Sequence, residues 1–279
     1  MNFNKTIQIC IFDGNVSGRI MCELSNWSGR IYKISRNEIN EFGLRQDCNY
    51  TGVYFLFGKD EDNTETVYIG EAEDMLVRLK QHLKDSDYWN NAVIVLSKDN
   101  NLNKAHVKYL ENTFYKTAKN ANRFIVINKT VPTCSSVSEF DEGMLKEFVE
   151  NTKLLVSTLG YKVFEEVESS IKCTKKKDVF YIKAARGADA KGILVTDGFA
   201  VIKGSCIAAE TTNSMSKSLV RFREKLIQNG IIDSNYVFVV DYVFTSPSLA
   251  AAIVMGRNAN GRTEWKTSEK KNIRDYEEL

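Results

Sequence analysis

The sequence predicts an α+β protein: a short antiparallel sheet flanked by helices, preceded by a β-meander and followed by a smaller α+β accessory module. Three observations predict it. Residues 52–57 (Gly-Val-Tyr-Phe-Leu-Phe) and 66–69 (Thr-Val-Tyr-Ile) are rich in β-branched and aromatic residues. Each run stops at a glycine, Gly58 or Gly70, so the two read as arms of a hairpin around the polar segment 59–65. After Gly70 the apolar period changes from two to about 3.6, with Met75, Leu79 and Leu83 at four-residue spacing, which begins a helix. Beyond residue 171 a second series of strands and helices carries its own turns and caps.

Taken in order, Ile7, Ile9 and Ile11 alternate, Asp13-Gly14 turns the chain, and Ile20, Cys22 and Leu24 alternate again. The turn at 26–29 leads to a third short strand over 30–34 and a short helix over 36–42. No titratable groups cluster in this part, which reads as a structural or substrate-contacting preamble rather than a catalytic one. After the hairpin and its helix, the continuous apolar run Ala92-Val93-Ile94-Val95-Leu96 predicts a buried strand. A long helix over 101–121 follows, with Val107, Leu110, Phe114 and Ala118 on its buried face and Glu111 at the edge of that face. Burying such a carboxylate unpaired costs several kcal/mol, so it points to solvent or stands over a pocket. Residues 124–127 read as a strand, and Asn128 opens the loop before Pro132. A helix over 138–160, closed by Gly160, carries Phe148, Leu155 and Leu159 on one side.

In the C-terminal part Asp197-Gly198 turns one apolar run into the next, 217–229 is an amphipathic helix closed by Gly230, and 236–240 reads as a strand. Ser246-Pro247 is an N-cap followed by proline at the first helical position, and Gly256 stops that helix. The domains expected are therefore a β-rich preamble at 1–48, a central domain at 49–137, a linking helix and strand at 138–170, and the accessory domain at 171–279.

A chain of 279 residues with 43% hydrophobic content suits two modest globular domains. No apolar run approaches the roughly 20 residues that span a bilayer, and Met1-Asn2-Phe3-Asn4-Lys5 reads as no signal peptide, so the cytoplasm is the expected compartment and no membrane partner is expected. Six cysteines without a Cys-x-x-Cys pair suggest neither a zinc site nor a disulfide framework. A formal charge of +2 identifies no nucleic-acid partner by itself. Local basic surface is another matter. Over 172–191, Lys175, Lys176, Lys177 and Arg186 belong to a run in which cations outnumber acids; it reads as a solvated loop or as a phosphate-contacting patch.

Arg78 and His82 lie four apart, which stacks a guanidinium over an imidazole beside the apolar stripe of their helix. Two phenols, Tyr54 and Tyr68, can thus meet a guanidinium and an imidazole where the hairpin joins the helix. The stretch resembles the GIY-YIG nuclease family: Gly52-Val53-Tyr54 and Tyr68-Ile69-Gly70 stand for the name-giving tripeptides, followed by Arg78, by Glu111 on a later helix, and by Asn128 beyond it. Either tripeptide alone is common in strands, so the weight falls on the ordered set.

The resemblance implies metal-dependent endonucleolytic hydrolysis of phosphodiester bonds in DNA, leaving a 5′-phosphate and a 3′-hydroxyl, with RNA left open as a substrate. By that analogy Glu111 holds Mg²⁺ or Mn²⁺ and Tyr54 acts on the attacking water. An ordinary phenol has a pKa of about 10, so this requires nearby cations that favour the phenolate, or a proton relay. Arg78 neutralises the scissile phosphate, Tyr68 and His82 orient water or phosphate, and Asn128 braces the site. The competing class is a catalytically silent nucleic-acid-binding or interaction module on the same scaffold. The string Ser246-Pro247-Ser248-Leu249-Ala250-Ala251-Ala252, with Gly256-Arg257, Asn260-Gly261 and Trp265-Lys266, resembles a small domain of unknown function that often follows GIY-YIG domains in bacterial proteins. A homodimer, or a partner docked through that C-terminal domain, is left open.

Overall fold

Residues 4–61, 64–85, 88–165 and 178–277 are described by a computed structural model. The chain is α+β and divides into two units, Met1–Phe164 and Glu165–Leu279.

The first unit contains β1 (Ile7–Ile11), β2 (Ile20–Leu24), β3 (Gly29–Ser35), α1 (Ile39–Phe42), β4 (Gly52–Lys59), β5 (Glu65–Ala72), α2 (Met75–Asp85), β6 (Trp89–Ser97), α3 (Lys104–Ala121), β7 (Ile125–Val126) and α4 (Glu139–Thr158). Its strands form one seven-stranded sheet in the order β1-β2-β3-β6-β4-β5-β7. All neighbours are antiparallel except the two-residue β7, which runs parallel to β5. The sheet is therefore mixed, and longer than the short antiparallel sheet that the sequence suggested.

Alternation along the strands supplies two buried faces. Val53, Phe55, Phe57, Val67, Ile69, Val93 and Val95 point to one side, where Leu110 and Phe114 of α3 and Phe148 and Leu155 of α4 cover them. Tyr32, Ile34, Tyr54, Leu56, Ile94 and Leu96 point to the other, against Phe42 of α1 and Met75 and Leu79 of α2. The apolar run of β6 is buried throughout because both faces are covered.

Two boundaries read from sequence need correction. The N-terminal meander is not a separate preamble: β3 pairs with β6 over seven residue pairs, Gly29↔Ser97 to Ser35↔Asn91, and so extends the central sheet. Nor is 138–170 simply a link. Leu145, Phe148, Val149, Leu155 and Val156 of α4 are buried in the same core as Phe55, because a helix with that stripe must cover an apolar face. Helix α3 begins with a reciprocal cap, in which Asn103 Oδ1 accepts from His106 N at 3.0 Å and His106 Nδ1 accepts from Asn103 N at 3.4 Å.

The second unit contains β8 (Val179–Lys183), β9 (Asp189–Val195), β10 (Gly198–Val201), α5 (Lys217–Gln228), β11 (Tyr242–Phe244), α6 (Pro247–Met255), α7 (Gly261–Glu264) and α8 (Ile273–Glu277). Its sheet has the order β11-β10-β9-β8 and is antiparallel. The strand expected at 236–240 is absent. Asp233 Oδ1 accepts from the amides of Asn235 and Val237, which turns the chain there, and the ladder resumes at 242. Helix α6 follows its sequence signals, with Ser246 Oγ accepting from Leu249 N and Gly256 left-handed at φ 62°. Trp265 is fully buried against Phe199, its Nε1 donating to Pro247 O at 3.0 Å. Among the described residues no helix is long and apolar enough to cross a membrane.

Phe55 is fully buried and meets the Phe114 and Phe164 rings edge-on at 5.1 and 5.2 Å. Phe55→Ala removes both contacts and leaves a cavity, so urea denaturation of the full chain should show the first unit destabilised by about 3–5 kcal/mol.

Candidate active site

The β4–β5 ladder sets Tyr54 opposite Gly70. A Cβ on residue 70 would stand 2.3 Å from the Tyr54 hydroxyl, so the phenol lies across β5 only because that residue is glycine. Tyr68 is two residues earlier on the same face, its ring stacked on that of Tyr54 at 6.2 Å between centroids. One turn of α2 separates Arg78 from His82, and both reach the same phenol: Arg78 Nε donates to the Tyr54 oxygen at 3.1 Å, and His82 Nε2 lies 2.8 Å from it. Arg78 Nη1 also donates to Gln81 Oε1 at 2.9 Å. His82 is buried behind Tyr54 and against Tyr68.

Groups from the opposite face of the sheet arrive at its edge. Beyond β5 the ladder consists of β7 alone, paired at Thr66 and Val67. Past that point the amide of Asn128 takes over, its Oδ1 accepting from Ile69 N at 3.0 Å and its Nδ2 donating to Ile69 O at 2.7 Å. Where the edge stays open, Glu111 and Lys104 of α3 come round to it. Tyr54, Tyr68, Arg78, Glu71, Lys104 and Glu111 line one cavity of about 400 Å³. Tyr68 and Glu111 also line a neighbouring cavity of about 380 Å³ with Asn128 and the loop after it.

Of the six catalytic candidates, Tyr54, Tyr68, Arg78 and Glu111 thus share one cavity, His82 supports it through Tyr54, and Asn128 fixes the edge strand beside it. Neither Lys104 nor Glu71 is among the candidates that the sequence offers. Lys104 Nζ is 3.1 Å from carboxylate oxygens of both Glu71 and Glu73. Lys104 and Glu111 are seven residues apart, two helical turns, and that spacing was the available signal. Lys175, Lys176 and Lys177 lie outside the described residues. Arg186, in the second unit, sits in a left-handed turn at φ 62° with Nη2 donating to Met255 O at 3.0 Å, so part of its guanidinium serves the fold.

Burial, and then the charge of Glu71, push the Glu111 carboxyl up to about 7, against the pull of Lys104, Arg78 and Lys108. Glu111 makes no hydrogen bond among the described residues. The Tyr54 phenol is driven well above its ordinary value, chiefly by burial and then by Tyr68, while Arg78 opposes and Glu111 adds to the rise. This corrects one expectation: a single guanidinium does not offset the burial of Tyr54, so its resting form is the neutral phenol. The Arg78 guanidinium is held charged, since Tyr54 and Tyr68 outweigh the penalty of its own burial.

Residues 180–277 match the Domain of unknown function (DUF4357). The match covers the string from Ser246 to Lys266 and bears out the reading of the C-terminal part as a domain of that kind. No curated protein and no solved structure matches the chain.

A carboxyl raised above its unfolded value favours the protonated native state, so its stabilising effect is complete below the unfolded pKa and is lost as pH rises through the folded one. Glu111→Gln should therefore raise the melting temperature at about pH 8 relative to wild type, with the difference shrinking through neutrality and vanishing below about pH 4.

Proposed function

We propose that the first unit is a GIY-YIG-type, metal-dependent endonuclease that hydrolyses phosphodiester bonds in DNA in the cytoplasm, with the C-terminal unit as an accessory domain. The observation that carries this reading is the convergence of Tyr54, Tyr68, Arg78 and Glu111 on one cavity, reached from both faces of a sheet edge.

Among the described residues no three His, Cys, Asp or Glu side chains gather as a metal cage. The cavity's own carboxylates, Glu111 and Glu71, suit Mg²⁺ or Mn²⁺, since Mg²⁺ commonly takes one or two carboxylates and fills its remaining positions with water and substrate phosphate. Glu111 would hold the ion, with Glu71 nearby; its carboxyl, raised chiefly by burial and then by Glu71, is one that a bound cation would ionise. Bound there, the ion supplies positive charge for the phosphoryl oxygens and lowers the pKa of a coordinated water.

The remaining roles belong to the chain. Arg78, charged and held by Tyr54 and Gln81, presents its guanidinium to the scissile phosphate, for which a planar donor is better matched than a lysine. Tyr54 works as a relay. Its oxygen accepts from Arg78, and its own proton is directed to His82 Nε2 when that imidazole carries hydrogen on Nδ1. As an attacking water loses a proton to the phenol oxygen, the phenol proton passes to His82, leaving an imidazolium and an unchanged neutral tyrosine. Tyr68 lines the cavity between this relay and Glu111 and orients water or phosphate.

A second reading is favoured by one observation: Tyr54 is wholly buried with its hydrogen bonds already satisfied inside the protein, as befits a silent binding module. A plasmid and single-strand cleavage assay separates the two. Activity should require Mg²⁺, disappear in EDTA, fall by about 10²–10⁴-fold in Tyr54→Phe and be lost in Glu111→Ala. It should rise with pH through about 7 as Glu111 ionises to bind the metal. Cleavage that survives both substitutions, or none at all from folded wild type, sinks the mechanism.

A further inference from the structure

A second groove, of about 530 Å³, lies in the same unit and is lined by Arg19, Arg30, Arg45 and Lys98, the acids Glu41 and Asp47, and Leu44, Gln46 and Tyr50. Its floor is a closed hydrogen-bond cluster. The Asp47 carboxylate is buried and accepts from Tyr32 Oη at 2.6 Å, Arg30 Nη1 at 2.8 Å and Arg45 Nε at 3.2 Å. Arg30 Nε is further fixed by Glu23 at 2.5 Å, and the Arg45 guanidinium lies over the rings of Tyr32 and Phe12 at 4.8 and 5.4 Å. Lys98 Nζ is paired with Glu23 Oε2 at 3.3 Å and Glu41 stays exposed in the groove, while Asp47 is used up inside the fold. What it leaves facing outward are Arg30 Nη2 and both Nη atoms of Arg45, which make no hydrogen bond among the described residues. These side chains and that of Lys98 keep 24, 30 and 33% of their exposure.

Two rigidly held guanidinium edges beside an ammonium match the oxygens of phosphate esters. Position in the sheet says which ester. Arg30 pairs with Leu96, Leu96 with Gly52, and Gly52 with Ala72, a single cross-strand row. Partners in such a row share a face, and this is the face that carries Tyr54. Ala72 lines the first cavity, so Arg30 stands three strand spacings away, about 14 Å. Thr51 Oγ1 to Glu73 O at 3.1 Å and Leu76 N to Cys48 O at 3.0 Å tie the loop beneath the groove to the rim of that cavity. The acids on the rim are engaged: Glu73 with Lys104, and Asp74 Oδ1 with the amide of Val77.

We infer that this groove is a phosphodiester-backbone site, holding the same nucleic-acid strand a few nucleotides from the phosphate in the first cavity. Arg30, Arg45 and Lys98 take the phosphates, while Tyr50 and the exposed Leu44 offer apolar surface to the bases. The inference rests on a strand occupying the first cavity, but its test reads binding in EDTA, so a failure of cleavage does not bear on it.

The test is fluorescence anisotropy with the full chain and a labelled single strand of about 20 nucleotides, for wild type, Arg45→Gln, Lys98→Gln and the double variant. Lys146→Gln, on the surface of α4 and paired with Glu142, is the control. Each single variant should weaken binding and the double variant should do so about tenfold, with the melting temperature of Lys98→Gln unchanged. The slope of log K against log salt should become shallower by about 1.4, two charges at about 0.7 each. Lys98→Gln stands alone should Arg45→Gln prove unstable. Affinities and slopes equal to those of the control overturn the inference. So does a wild type that binds no strand. Inorganic pyrophosphate is the remaining arm: if it shifts the Arg45 Nε–H resonance and the oligonucleotide does not, the groove holds a free small anion and the strand path is wrong.

Discussion

A phenol lying on a bare Cα organises the first unit. Tyr54 can cross β5 only over Gly70, and this single close approach fixes how far α2 stands from the sheet, because Arg78 and His82 both terminate on the same oxygen. A side chain at residue 70 would have to lift the ring and, with it, the helix. The arrangement also explains why the tyrosine is so hard to ionise. The packing that holds it in place removes water from it, and one guanidinium returns less than that desolvation takes away.

The second constraint is an edge that stops short. A sheet continued by a full strand beyond β5 would keep its faces apart, and the groups on α2 would never meet those on α3. Here the parallel strand β7 is two residues long, and a side-chain amide supplies the next rung. The edge is closed enough to hold its register and open enough for Glu111 to come round it. A half-buried carboxyl near a second acid is the electrostatic result, and burial first and Glu71 second raise its pKa.

How much of this is legible in the sequence depends on the range of the interaction. The hairpin arms, α2, α3 and the Ser246-to-Gly256 helix are local: alternation, a four-residue period, a cap and a left-handed glycine each announce themselves within a dozen residues. The six site candidates were found by order along the chain, and the fold brings four of them to one cavity. What periodicity does not encode is partnership. Nothing in residues 30–34 says that they pair with Ala92–Leu96 rather than close a meander of their own, and nothing in α4 says which face it covers. The apolar stretch at 236–240 has strand composition, yet the Asp233 side chain takes the amide of Val237, and Phe238 and Val239 donate to Ser205 and Ile231 carbonyls. Burial is the other blind spot, because Tyr54 and Tyr68 look alike in sequence while only the first is sealed from solvent.

The rung supplied by Asn128 has a chemical corollary. It works because one planar group offers an acceptor to the N–H and a donor to the C=O of the same residue, an arrangement that neither a hydroxyl nor a carboxylate can reproduce. Spontaneous deamidation would swap that NH₂ for oxygen and turn a lone pair toward the Ile69 carbonyl. That exchange would unpin β5 at Ile69, next to the glycine over which the Tyr54 phenol lies.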